Sequence, residues 1–213
     1  MGQTLAEKIL SEKVGRPLRA GEFAVVPVDV VLMHDGTGPL AVRQLGAMGL
    51  AGPQQPDRTL VFLDHGLPSA RKELSNDHAF LRQFARAARA RLYDCGSGTC
   101  HQVWPRSTLL RGGWWWGLTP IPAPPELWPP LPPAWARRTW GVVMGLGENW
   151  FRVPESVRVE VKGTFGPGVG AKDLIPWLIG HLGADGATYQ ALEFGGPAIA
   201  ALDMSGRLTL CNM

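Results

Sequence analysis

Asp64 and His65, His101, Glu193 and His34 are the residues of this sequence whose types and places suit catalysis. A carboxylate next to a histidine orients the imidazole and raises its pKa, which prepares it for general acid and base work. Asp64 and His65 close the run "RTLVFLDHG", where a short apolar stretch gives way to polar residues and glycine. His101 follows the loop "GSGTC", Glu193 sits in "ALEF", and His34 in "MHDGTGPLA" stands between an apolar run and a glycine-rich turn. Each also has a structural reading: a surface turn for Asp64 and His65, a loop-bracing hydrogen bond for His101, an edge-strand charge for Glu193. His78, in a polar helical stretch, and His181, in an amphipathic one, read as structural. Cys95, Cys100 and Cys211 form an odd set with no C-x-x-C spacing, so they read as buried thiols in a reducing cytoplasm, and the sequence shows no metal ligands.

The elements that must position these residues alternate between helix and strand. "TLAEKILSEKVG" opens a helix, with Thr4 and Glu7 spaced as a capping box and Gly15 as its stop. "FAVVPVDVVLM" reads as a strand with an irregularity at Pro27, and "RTLVFLDHG" as a buried strand. "SARKELSNDHAFLRQFARAARARL" is helical, with Phe80, Leu81, Phe84 and Ala88 on one face, and "LYDCGSGTCHQV" is a strand followed by a glycine loop. Further on, "SVRVEVKG" alternates strictly, Val157, Val159 and Val161 against Arg158, Glu160 and Lys162. "AKDLIPWLIGHLG" is helical, with Pro176 tolerable only near a first turn. "ATYQALEF" is a strand and "PAIAALDMSG" a helical turn. This alternation predicts a layered α/β domain.

A formal charge of +3 and the lack of a Lys/Arg cluster argue against a nucleic-acid partner. The start "MGQTLAEKIL" has no signal-peptide pattern, and no apolar run reaches membrane-span length, which points to a cytoplasmic protein without a membrane partner. One stretch breaks the pattern. Residues 105–140 hold nine of the 19 prolines and six of the nine tryptophans, with no apolar period.

Seven segments, "MGQTLAEKIL", "MHDGTGPLAV", "DHGLPSARKE", "YDCGSGTCHQV", "NWFRVPESVRVEVKG", "AKDLIPWLIGHLGADGATYQALEF" and "MSGRLTLCNM", occur in this order. Together they resemble the first half of the aconitase superfamily, most of all the large subunits of 3-isopropylmalate dehydratase and homoaconitase. The likeness covers residues 1–103 and 141–213. It implies a layered α/β/α aconitase-type N-terminal domain, here incomplete. It further implies a hydro-lyase that isomerises a hydroxy di- or tricarboxylate through a [4Fe-4S] cluster, with a separate small subunit as partner. By motif, Asp64 and His65 resemble the pair that serves the leaving hydroxyl, His101 a second active-site histidine, and Glu193 the carboxylate that orients a third. His34 lies where the family has a substrate-contacting polar side chain.

The third histidine belongs to a family motif "ADSHT", expected between "CHQV" and "RVPES", where the tryptophan–proline stretch lies. A shift of reading frame accounts for this. If each new codon takes the last base of one codon and the first two of the next, Trp114 to Ala123 can encode "VVGADSHTC". Residues 105–140 are therefore expected to be a shifted reading of a catalytic segment, with the frame restored near Gly141. The cluster ligands are then not present in this chain, which is expected to be inactive and to be a fragment of a longer protein. The rival reading takes "PPELWPPLPPAWARR" as a polyproline ligand for an SH3-like groove, in an α/β binding protein without catalytic activity.

Overall fold

A computed structural model describes residues 2–107, 115–117, 139–183 and 185–212. The tryptophan–proline stretch lies outside the described residues except for 105–107, 115–117, 139 and 140, so the polyproline reading of it does too. In chain order the elements are α1 (Leu5–Val14), β1 (Phe23–Pro27), β2 (Val30–His34), α2 (Gly38–Ala47), β3 (Thr59–Phe62), α3 (Lys72–Ala88), β4 (Arg91–Tyr93), α4 (Cys100–Ser107), β5 (Trp115–Gly117), α5 (Thr139–Leu146), β6 (Glu148–Arg152), β7 (Glu155–Glu160), α6 (Ala171–Leu182), β8 (Gln190–Gly195), α7 (Pro197–Ala200) and α8 (Met204–Asn212). The irregularity expected at Pro27 is a break: one apolar run gives two strands, β1 and β2. No helix among the described residues is long and apolar enough to cross a membrane.

The chain divides into two compact units, and the described parts of one are residues 25–107, 115–117 and 139–150. Its centre is a parallel sheet in the order β4-β3-β2-β5. Every residue of β2 and β3 is buried, as expected of a parallel sheet covered on both faces. On one face Val30, Leu32, Leu60 and Phe62 pack with Cys100, and with Tyr93 and Val103 at the edge of the cluster. Each fully buried large side chain there contributes about 1.5–3 kcal/mol. Met33, on the other face, meets the start of α2 at Gly38, where Leu81 of α3 also lies. Helices thus cover a central sheet in layers. α2 and α5 cross at glycine: a Cβ on Gly141 would stand 2.8 Å from the Ala41 carbonyl oxygen and 2.7 Å from Gln44 Cβ. Such close approach is what glycine permits.

The described residues of the other unit are 2–24, 151–183 and 185–212. β7 and β8 pair in parallel, with α6 in the connection between them. Val157, Val159 and Val161 are half-buried and Arg158, Glu160 and Lys162 exposed, so the alternation expected for this strand holds. Val159 and Val161 pack on Ala171, Ile175 and Leu178 of α6 and on Leu210 of α8. α1 carries the expected capping box: Thr4 Oγ1 accepts from the Glu7 N–H, and Glu7 Oε2 accepts from the Thr4 N–H. Gly15 ends the helix at φ 71°. Pro176 departs from expectation, since it is the sixth residue of α6 and not in its first turn. It removes one intrahelical hydrogen bond, and the buried face Ala171, Ile175 and Leu178 holds the helix together across it.

Candidate functional site

The parallel strands of the first unit end level with one another, His34 opposite Phe62 and Phe62 opposite Tyr93. The carboxyl ends of parallel strands form the rim where α/β sheets bind ligands. Three loops leave it: His34–Gly36 after β2, Leu63–Gly66 after β3, and Asp94–Thr99 after β4.

Asp35 ties these loops to the scaffold. Its carboxylate is 2% exposed and takes three partners: the His65 N–H at 3.2 Å, the Gly66 N–H at 2.8 Å, and His78 Nε2 at 3.0 Å. A buried carboxylate needs such donors, since an unpaired one is strongly disfavoured in low dielectric. His78 is 3% exposed on α3, so its structural reading holds. Gly66 sits close to the same carboxylate, and a Cβ there would meet Leu74 at 2.6 Å. The loop after β4 has its own clamp. Arg82 of α3 donates to Asp94 from Nε at 2.8 Å and from Nη2 at 2.6 Å. With the Cys95 N–H, that guanidinium outweighs partial burial and holds the Asp94 carboxyl well below the usual carboxylate range.

Asp64 joins the loop after β3 to the start of α4. One oxygen bonds His65 Nδ1 at 2.7 Å, and the other accepts the Cys100 N–H at 2.6 Å. That N–H belongs to the first turn of a helix, where it has no intrahelical partner. Burial works to raise the Asp64 pKa, but the hydrogen bonds from Cys100 and His65 prevail and hold it below its ordinary value. With Nδ1 donating to this carboxylate, His65 presents Nε2 as the atom that gives or takes a proton. The His65 ring stacks on His34, centroids 3.8 Å apart and planes 12° apart. It meets His101 edge-on at 5.4 Å.

His34 is 7% exposed, and its Nδ1 accepts the Gly36 N–H at 3.1 Å, which fixes it as a neutral imidazole. Burial first and the neighbouring His65 second push its pKa down to about 4, against the pull of Asp35 and Asp64. His101 is lowered for the same two reasons. Burial, then the charge of Asp64, pushes the Cys100 thiol well above its ordinary range. The rim therefore offers one histidine backed by a carboxylate and two neutral imidazoles, a set suited to hydrogen-bonding an oxygen-rich small molecule and moving one proton.

Of the residues expected from sequence, His34, Asp64, His65 and His101 come together on this rim. Glu193 lies in the other unit, in the middle of β8, where its Oε1 accepts the Leu5 N–H at 2.7 Å and so caps α1. Asp35 and Cys100 complete the rim and were not singled out for it. A signal existed for Asp35: "MHDG" and "LDHG" both place an acid–histidine pair before glycine at a strand end. The sequence reading found no metal ligands, yet two groups on the rim have metal-ligating atoms within 4.8 Å of one another: His65, Cys100 and His101, and His34, Asp35 and His65.

The cysteines do not fit a [4Fe-4S] cluster, which is held by several thiolates. Among the described residues neither ligand group gathers more than one cysteine. The expectation of buried thiols holds for Cys100 on the rim but not for Cys95, which is exposed beside Arg82, and Cys211 is half-buried on α8 of the other unit.

Residues 141–213 match the aconitase family (aconitate hydratase). The similarity to curated proteins runs over the whole chain. It is 43% identical over 213 residues to the 3-isopropylmalate dehydratase large subunit of Elusimicrobium minutum, 38% identical over 213 residues to large subunit 1 of that enzyme from Thermotoga maritima, and 36% identical over 223 residues to the homoaconitase large subunit of Thermus thermophilus. All of this chain is covered in each case, and 51% of each relative. The chain spans about half the length of the curated relatives it matches.

Proposed function

We propose that this chain, similar along its whole length to aconitase-family large subunits, carries part of the active-site scaffold of an aconitase-type hydro-lyase, and that as written it is catalytically silent. The observation that carries the reading is the rim itself: Asp64 backing His65, with His34 stacked on that ring and His101 meeting it edge-on, at the carboxyl ends of β2 and β3 and the start of α4. In the working enzyme the substrate would be a hydroxy di- or tricarboxylate such as 3-isopropylmalate, homocitrate or citrate. Neutral His34 and His101 suit hydrogen bonds to its oxygens. His65, protonated at Nε2 and held by Asp64, suits delivery of a proton to a departing hydroxyl. Glu193 would orient a further histidine, and a small subunit would complete the site.

Silence follows from two features. Residues 105–140 carry tryptophan and proline where the family's histidine motif is expected, and the cysteines do not fit the cluster, so no step is assigned to it. A frame-shifted segment explains the first and fits similarity that spans the stretch from both sides. Resequencing the source DNA across codons 100–145 tests this directly. The expected result is a base gained or lost near each edge, with the histidine motif restored between them. DNA that confirms the stretch unchanged overturns the frameshift. Dehydration of any of the three hydroxy acids by the purified chain as written, with or without an added small subunit, overturns the silence.

A further inference from the structure

The group formed by His65, Cys100 and His101 has the features of a site for a single divalent ion, and this inference stands apart from the hydro-lyase reading. The ligand atoms already lie within 4.8 Å of one another. Around a tetrahedral zinc ion, with nitrogen at about 2.1 Å and sulfur at about 2.3 Å, neighbouring ligand atoms are roughly 3.5 Å apart. An ion would draw the three side chains closer together, Cys100 and His101 from the start of α4 and His65 from the loop after β3.

The surroundings match how such sites are held. Asp64 bonds His65 at Nδ1 and fixes the ring, as an outer carboxylate does for a metal-ligating histidine. Asp35 fixes the backbone of the same residue. The His65 side chain is 35% exposed, so an ion has a way in and water can take a fourth position. The second group on the rim is less suitable, because it has no sulfur ligand and both Asp35 oxygens already hold two backbone N–H groups and His78.

We propose that His65, Cys100 and His101 bind one borderline divalent cation, zinc above all, with Asp64 as the outer carboxylate. One sulfur and two imidazoles select zinc or cobalt over magnesium and calcium, which take oxygen ligands. On binding, the Cys100 S–H proton leaves to solvent and the sulfur–metal bond takes its place, with no change of oxidation state. One thiolate and the Asp64 carboxylate then balance the ion's two charges. A bound ion would occupy two of the three rim imidazoles and so compete with any hydroxy acid for them.

The test uses the full chain, stripped of metal with a chelator and titrated with cobalt(II). One equivalent is expected to bind and give thiolate-to-cobalt charge-transfer absorption in the near ultraviolet. The band is expected to persist in the Cys95→Ser, Cys211→Ser double variant and to vanish in Cys100→Ser. Asp64→Asn is expected to weaken binding about 10–100-fold. X-ray absorption of the zinc-loaded wild-type chain is expected to show one sulfur and two imidazole nitrogens, and decides the matter if Cys100→Ser loses its far-ultraviolet dichroism. No cobalt bound to the folded chain, a band that survives in Cys100→Ser, or a zinc shell without sulfur each overturns the proposal.

Discussion

Two of the parallel strand pairs, β2 with β3 and β7 with β8, use their polar residues in opposite ways. On β2 and β3 the chemistry-bearing residues stand at or just past the carboxyl ends, their carboxylates bonded into the loops and to neighbouring histidines. On β7 and β8 the one acid with a sequence resemblance to a catalytic group, Glu193, sits mid-strand opposite Arg158 and caps a helix. Residue type does not separate these cases, since both pairs offer carboxylates. Place along the strand does. A side chain at a strand's end can meet residues from neighbouring loops, while one in the middle finds the elements packed on the sheet.

The sharpest way to break this contrast is to remove the inward carboxylate of the rim. Asp35→Ala strands two backbone N–H groups and a buried histidine at once. It is expected to cost about 3–5 kcal/mol of unfolding free energy, measured by urea titration. A loss within 1 kcal/mol, roughly that of one ordinary hydrogen bond, would mean that the rim is not held together by its buried acid.

Acid should then distinguish the two regions. His34 has a folded pKa of about 4 against an ordinary value of 6.5, so below pH 6.5 the unfolded chain takes up the proton first. The stability contributed by neutral His34 is fully present above that pH and is lost as pH falls toward 4. A shift of this size corresponds to at most about 3.5 kcal/mol. His101 acts in the same direction. Glu7, in the other region, is lowered from 4.5: despite the opposing effect of burial, hydrogen bonds from the Thr4 and Ala20 N–H groups and the charge of Arg19 hold it down. Its contribution is present above pH 4.5 and fades only below. Urea midpoints measured from pH 7 to 4 in chelator should therefore fall, and His34→Asn should flatten that fall. An equally steep fall in the variant would assign the acid sensitivity elsewhere.

Much of this arrangement is legible in the residues alone. Apolar runs mark β2 and β3, strict alternation marks β7, and the spacing of Thr4 and Glu7 marks the start of α1, because each reflects a local period or cap. His34 and His65 are legible because they follow such runs. Cys100 is not, since its partner lies 36 residues away along the chain, and for Asp35 only the pairing with a histidine is legible, not the partners 31 or more residues away along the chain. α2 and α5 are obscured for a different reason. Gly38, Gly46, Gly141 and Gly145 lower helix propensity, yet a Cβ on Gly141 would collide with α2 and one on Gly145 with Leu50. Tertiary packing there prevails over local preference, as it does at Pro176.

The cap of α1 gives a smaller effect. Thr4→Ala removes the acceptor for the Glu7 N–H and should cost about 1 kcal/mol, seen as a lower urea midpoint with an unchanged slope. A cost near zero would mean that the helix start is held from elsewhere, and Glu193 is where to look next.

Glu193→Gln should have the smallest effect of all. The amide oxygen can still accept the Leu5 N–H, so what is lost is a negative charge at the first turn of α1, worth about 0.3–1 kcal/mol and reduced by salt. Two results would sharpen the contrast: a small, salt-dependent loss of stability, and cobalt affinity at the rim equal to wild type. A loss of several kcal/mol would place Glu193 with Asp35, as an acid on which its unit depends. A weakened cobalt site with stability unchanged would instead support the catalytic role that its sequence motif implies, beside the capping role that its bond to Leu5 describes.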